Sequence, residues 1–281
     1  MELSRRSMLR GAAAAGLAVG GAAALPGTAA AVGRGTLRVP LNAIGVQLYS
    51  LRTLLQADAP GTLSALADIG FRKVELAGTY GYSATEFKSL LDRNHLSASS
   101  SHVGIDGADI NKVIEDARIL GNQKIVHPYS NFATIAEYKS FAGRLEAAGV
   151  AIRKAGMHLG YHNHDHEFRT LQNQRPYDVL TANTTGLNVH LEDDLFWVVT
   201  GGADPVREVY KTYPRVLQYH VKDRTKDGRM VDPGEGAIDF GNIFRRTWHA
   251  GIQEYIIEHD QPTDPIKFAQ TGYKYLANLR F

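Results

Sequence analysis

The chain has 281 residues, with 31 lysines and arginines against 29 aspartates and glutamates, and no cysteine. The missing thiols exclude disulfides, a thiolate nucleophile, a zinc–thiolate site and a lipid-modified cysteine. The small positive balance belongs to the N-terminus: residues 1–31 hold Arg5, Arg6 and Arg10 against Glu2, and the rest of the chain carries equal numbers of basic and acidic residues. That balance makes no electrostatic case for nucleic acid as a partner.

Residues 1–31 read as an export signal. Ser4-Arg5-Arg6-Ser7-Met8-Leu9 precedes a weakly apolar Ala/Gly tract from Gly11 to Leu25, followed by Pro26 and the small-residue run Ala29-Ala30-Ala31. A charged start, a modest apolar core and an A-x-A site define such a signal, and the paired arginines point to the twin-arginine machinery and a periplasmic or extracellular destination. A stable membrane anchor is disfavoured, because the tract breaks before the ~20 apolar residues of a spanning helix. Cleavage after Ala31 leaves 250 residues, close to the ~250 typical of one β/α barrel. Residues 32–43 then form a linker or lead-in to a single domain, 44–281.

In that domain short apolar runs alternate with helical periodicity, and each run ends in a polar, metal- or proton-competent residue. In order they are IGVQLYS, KVELAG (Glu75), SSSHVG (His102), KIVHPYS (His127), HLGYHNHDHE (His162, His164, Glu167), NVHLEDD (Asp194), LQYHVKD (His220, Lys222) and YIIEHD (Glu258). Helical spacing marks 62–69, 84–94, 108–120, 133–155, 204–213, 240–250 and 264–279, several of them closed by glycine. Repeated strand–helix units imply a parallel sheet. No Gly-rich fingerprint follows the first strand, which argues against a doubly wound open sheet. The expected fold is an α/β (β/α)8 TIM barrel, which gathers all its strand ends at one mouth.

Strand alternation places residues two apart on one face. The sixth run then aligns His190, Glu192 and Asp194, the seventh Gln218, His220 and Lys222, and the eighth Ile256, Glu258 and Asp260. Two carboxylates and an imidazole, from Asp194, Glu258 and His220, suit one divalent ion such as Mn²⁺, Mg²⁺, Co²⁺ or Zn²⁺. Each residue has a plainer explanation: a hydrogen-bonded barrel histidine, a helix N-cap at Asp194, or a Glu258 that merely neutralises Lys222. Together they are costly to bury unless paired or metallated, which favours a site. On the fifth run the histidines at 162, 164 and 166 alternate with Asn163, Asp165 and Glu167. Either the strand ends near His164 and a loop swings Glu167 inward, or a histidine is the ligand, or the loop is simply solvated. The expectation adopted is Glu167, with His162 and His164 as substrate or metal contacts.

The segments GVQLYSLR, KVELAGTYG, YHNHDHEF, EDDLFWVVTGGADP, YHVKDR, DPGEGAIDF and YIIEHDQP resemble the sugar phosphate isomerase/epimerase family of xylose isomerase-like TIM barrels, from about Ile44 to the C-terminus. The resemblance implies a metal held by Glu167, Asp194, His220 and Glu258. Asp194 is preferred to Asp193 because the family places an acid directly before a Leu-aromatic-Trp element. It also implies isomerisation or epimerisation of a sugar through an enediolate, with Glu167 and Glu258 exchanging the proton and Lys222 stabilising an oxyanion. Glu75, His102 and His127 would read the substrate's hydroxyls. The His-rich fifth run departs from the family's usual apolar one. No P-loop is present, and export argues against phosphorylated metabolites, so a free sugar, polyol or keto-sugar is the expected substrate. Two alternatives stay open: a metal-dependent lyase or dehydratase acting on a keto-polyol or 3-keto-glycoside, and a non-catalytic exported sugar-binding barrel. An apurinic endonuclease would need a richer zinc cluster and a basic groove. The oligomeric state is left open.

Overall fold

The computed structural model describes residues 35–281; the expected export signal at 1–31 and the first residues of the linker lie outside the described residues. Seven barrel strands come first: β1 (Ile44–Gln47), β2 (Lys73–Leu76), β3 (Ser97–His102), β4 (Lys124–His127), β5 (His158–His162), β6 (Val189–Asp194) and β7 (Val216–Val221). A short antiparallel hairpin, β8 (Asp223–Arg224) and β9 (Met230–Val231), follows, and β10 (Glu254–Ile257) is the eighth barrel strand. The eight close in the order β1-β10-β7-β6-β5-β4-β3-β2, every neighbouring pair parallel. The expected (β/α)8 barrel is the observed fold.

The helices are α1 (Arg52–Ile69), α2 (Ala84–Arg93), α3 (Ile110–Leu120), α4 (Ile135–Lys154), α5 (Pro176–Ala182), α6 (Leu195–Thr200), α7 (Pro205–Thr212), α8 (Phe240–Thr247) and α9 (Pro265–Asn278). Their starts follow capping chemistry. Ser83 with Glu86 and Thr134 with Glu137 form capping boxes, and Asp109, Asp204, Asp239 and Asp264 accept first-turn N–H groups. Helix α1 begins ten residues before the stretch marked by periodicity and is interrupted at Asp58 (φ −152°, ψ 85°). The Asp58 carboxylate accepts the Gly61 N–H (2.9 Å), so it recaps the second half, which has Pro60 in its first turn. Helix α5, absent from the sequence reading, starts on Pro176 where a missing N–H costs nothing. The lead-in is tied down as well: Leu37 and Phe281 exchange two backbone hydrogen bonds of 3.1 Å, and Val39 is fully buried.

Outward-facing strand residues such as Val74, Leu159 and Tyr219 pack under the helices in one apolar core. The inner face is polar. Near its floor Glu254 meets Lys73 (2.9 Å), Lys124 (3.4 Å) and the Gln218 amide (2.9 Å), so the buried charges arrive already partnered. Among the described residues no helix is long and apolar enough to cross a membrane.

Candidate active site

Two tiers of ionisable side chains fill the barrel above that floor. The upper tier stands at the C-terminal strand ends: His162 closes β5, Asp194 closes β6, His220 lies in β7, and Lys222 and Glu258 directly follow β7 and β10. All five are buried. Ligand-competent atoms of His162, Asp194, His220 and Glu258 lie within 4.8 Å of one another. Nδ1 of His220 is 2.8 Å from Glu258 Oε2, and Nε2 of His162 is 3.8 Å from Asp194 Oδ2. The Lys222 ammonium reaches Glu258 (2.8 Å), Asp260 (2.8 Å) and Asp194 (3.1 Å) and lies 5.2 Å over the Trp197 ring.

The lower tier is made by Glu75 and Glu192. Oε2 of Glu192 lies 2.7 Å from His102 Nε2, 3.0 Å from His162 Nδ1 and 3.2 Å from His220 Nε2. Oε1 of Glu75 lies 2.7 Å from His220 Nε2 and 3.1 Å from His102 Nε2, and accepts from the Gln47 amide at 2.8 Å. Each of His162 and His220 therefore turns one ring nitrogen to the mouth and the other to a buried acid.

The electrostatics follow from this stacking. Burial lowers the affinity of His220 and His102 for a proton, but the surrounding carboxylates outweigh it: His220, facing Glu192, Glu258 and Glu75, is raised well above the usual imidazole range, and His102, between Glu75 and Glu192, to about 10. His162 is pushed far down by burial and by its cationic neighbours His220 and His102, which keeps it neutral. Burial works against ionisation of Glu75 and Glu258 too, yet His102 and His220 around the first, and Lys222 and His220 around the second, hold both well below the carboxylate range. Burial raises Asp194 to about 6, with Lys222 and His220 opposing. Lys222 is raised by Asp194, Glu258 and Asp260 despite its burial.

Asp194 is the helix N-cap weighed for it, and its second oxygen faces the site. Oδ1 accepts the Trp197 N–H (3.0 Å) and caps α6, while the buried Oδ2 faces the Lys222 ammonium (3.1 Å) and His162 Nε2 (3.8 Å). Asn163 fixes the strand end in place: its oxygen accepts the Asp194 N–H (3.0 Å) and its amide donates to the Asp194 carbonyl (3.4 Å). Two imidazoles and two carboxylates form a donor set that fits a divalent cation.

Three residues, Glu167, His127 and Glu75, do not lie where the sequence reading expected them. Glu167 does not join the group: β5 ends at His162, residues 163–165 bend, and Glu167 folds back in a short 3-10 turn (His166–Phe168). There its carboxylate accepts from Tyr161 Oη (2.7 Å) and from the His164 N–H (2.8 Å). Tyr161 points to the helical layer, where its ring stacks on His127 and tilts against Phe141. His162 is the fifth-strand residue that joins Asp194, His220 and Glu258. His127 faces that same outer layer. Its Nδ1 accepts the Ile105 N–H (3.0 Å) and its Nε2 meets Ser130 Oγ (2.9 Å). Burial lowers it to about 4, and it lies outside the cavity lining, braced against the loop at Tyr129 and Ser130.

A cavity of about 450 Å³ opens above the upper tier, lined by His102, His162, His164, Lys222 and Glu258 and rimmed by Tyr49 and Tyr129. His164 stacks on Trp197 (5.3 Å between centroids), and its Nδ1 is buried without a partner. Glu75, expected to read substrate hydroxyls, is fully buried below this cavity against His102, His220 and Gln47 and does not line it.

Three residues with evident roles went unassigned in sequence. Glu192 was placed inward by alternation, two positions before Asp194, but given no task. Asp260 shares the face of Glu258 and partners Lys222. Asp223 has the clearest local signal, the following DPGEGAI stretch: its carboxylate accepts from the backbone N–H groups of Gly234, Gly236 and Ile238. A Cβ at Gly236 would come within 2.2 Å of Asp223 Oδ1, so the turn needs glycine there.

With this geometry in hand, the chain can be placed among known proteins. The family model described as xylose isomerase-like TIM barrel matches residues 63–279, and the chain belongs to that family. Inosose dehydratase of Lacticaseibacillus casei is 26% identical over 247 residues, covering 77% of this chain and 80% of the relative. A sugar phosphate isomerase/epimerase from Parabacteroides distasonis has 26% identity and a TM-score of 0.74, covering 85% of this chain and 95% of that structure. The IolI protein, solved with a bound zinc atom, shares the fold at 16% identity and a TM-score of 0.66, covering 83% and 95% of the two chains. The chain therefore has the makings of a metal-dependent, sugar-modifying enzyme whose relatives include both isomerases and dehydratases.

Proposed function

We propose that the protein is a divalent-metal-dependent lyase that eliminates water or an alcohol β to a carbonyl in a keto-polyol or keto-glycoside. His162, Asp194, His220 and Glu258 would hold the metal, which when bound supplies Lewis-acid stabilisation of negative charge on a substrate oxygen. One observation counts against epimerisation and, with the dehydratases among the relatives, favours elimination: of the two carboxylates expected to exchange a proton on opposite faces of a sugar, only Glu258 reaches the cavity, because Glu167 is turned away onto Tyr161. Inversion at carbon by that pair loses one partner. A syn elimination needs a single base, since the proton taken from carbon can be returned to the departing oxygen.

His164 suits that task. It lines the cavity with Nδ1 unpartnered. Burial together with Lys222 lowers it to about 3, so the ring is neutral but a weak base, and it serves as the base only where charge on the substrate offsets Lys222 and lifts it toward the working pH. Lys222 stays protonated and balances charge developing on the substrate. Dehydratases among the relatives favour the same reading.

Isomerisation or epimerisation is the second reading, favoured by the likeness to the Parabacteroides protein. Incubating metal-loaded protein with free keto-sugars, keto-polyols and 3-keto-glycosides in D₂O, followed by NMR, separates the two. An unsaturated product with release of water or alcohol is the expected result. Deuterium wash-in with the substituents intact would establish an isomerase or epimerase instead, and binding without exchange or turnover a carbohydrate-binding barrel.

A further inference from the structure

We infer that Glu192 is the positioning residue that sets the ring orientation and tautomer of His162 and, with Glu75, the ring orientation of His220, so that each presents its mouth-facing nitrogen to a cation. The inference rests on reading His162, Asp194, His220 and Glu258 as the cation-holding set. A carboxylate only accepts hydrogen bonds. One oxygen of Glu192 receives three imidazole nitrogens, from β3, β5 and β7, at 2.7, 3.0 and 3.2 Å. Nδ1 of His162, which faces this oxygen at 3.0 Å, must then carry a proton. Nε2 is left with its lone pair, on the side of Asp194 Oδ2.

The same logic applies to His220. Glu75 (2.7 Å) and Glu192 (3.2 Å) both face Nε2, which fixes a proton there, and Nδ1 is the nitrogen beside Glu258. Such outer carboxylates orient metal-ligating imidazoles, and losing one costs about 10–100-fold in metal affinity. Here one acid serves two prospective ligands at once, and it stands on the same strand as a third, two residues below Asp194. Oε1 of Glu192 is buried without a partner. Glutamine can therefore keep its accepting oxygen on the histidines and point its amide at that orphan position.

The test uses the full chain labelled with ¹⁵N-histidine, metal-free, with long-range ¹H–¹⁵N spectra to read tautomers, followed by Co²⁺ titration monitored by visible absorption. Wild type and Glu192→Gln are expected to carry the His162 proton on Nδ1, while Glu192→Leu, which offers no acceptor, loses that preference and binds Co²⁺ about 10–100-fold more weakly. A His162 proton on Nε2 in the wild type overturns the inference, whatever the variants do. So does a Glu192→Leu protein with unchanged His162 tautomer and Co²⁺ affinity. Should wild type take up no Co²⁺ while His162 is protonated on Nδ1, the positioning role stands and only the cation reading falls.

Discussion

Asp193 and Asp194 are consecutive in the chain and serve opposite sides of β6: Tyr177 donates to Asp193 Oδ1 at 2.7 Å in the helical layer, while Asp194 Oδ2 lies 3.1 Å from the Lys222 ammonium at the barrel mouth. One strand thus carries a structural acid and a site acid side by side, separated by the pleat alone.

Asp194→Asn distinguishes cap from ligand. Asparagine caps helices about as well as aspartate, so the start of α6 should be kept, and the buried Lys222 ammonium retains Glu258 and Asp260 as partners. The negative ligand is lost, and elemental analysis of the purified variant should find little metal. Glu167→Gln is the matching control. It should retain metal at the wild-type ratio, because its carboxylate contacts Tyr161 and the His164 N–H rather than the cation group.

Asp193 gives stability a pH dependence of its own. Burial, opposed by the Tyr177 hydrogen bond, pushes its carboxyl up to about 7, above the ordinary value it has in the unfolded chain. Its folded form holds the proton more tightly, so this contribution is complete below about pH 4 and disappears as pH rises through about 7. Asp193→Asn should remove the loss. The variant's stability relative to wild type should improve by on the order of 2 kcal/mol between pH 5 and pH 8 in chemical denaturation. An equal effect at both pH values would show that Asp193 ionises freely in the folded protein.

Metal uptake should release protons. His220 is held protonated by its three carboxylate neighbours, so a cation must displace the proton on Nδ1. Affinity should rise about tenfold per pH unit between pH 6.5 and 8. Below about pH 6 Asp194 also carries a proton, and the slope should approach two protons per ion. Calorimetric titration in buffers of different ionisation enthalpy counts them. A pH-independent affinity would remove His220 from the ligands.

The barrel, its eight strands and the inward placement of Asp194, His220 and Glu258 were legible because alternation with period two and helix-length spacers leave few topologies open. The fifth strand was not. In HLGYHNHDHE a donor occupies nearly every position, so alternation identifies the face of each residue only if the strand's end is known, and that end, at His162, is set by the Asn163 clamp onto Asp194, a contact between distant segments. His127 failed for a related reason. It is the last residue of a short strand, one step out of phase with Val126, and its phase follows from β4's register against β3 and β5. The role of Glu192 depends on three other strands converging on it.

Export by the twin-arginine route to the periplasm or beyond remains our proposal, resting on Arg5, Arg6 and the Ala29-Ala30-Ala31 run. Replacing both arginines by lysine should hold the uncleaved precursor inside the cell, as read by fractionation and mass. Normal export of the doubly substituted chain would contradict the route.

We propose that His162, Asp194, His220 and Glu258 share one cation. Anomalous diffraction from crystals soaked in Mn²⁺, Co²⁺ or Zn²⁺ measures this directly. A single strong peak about 2.0–2.3 Å from donor atoms of all four residues is the expected result. A peak beside Glu167, or none at the barrel mouth, would contradict it.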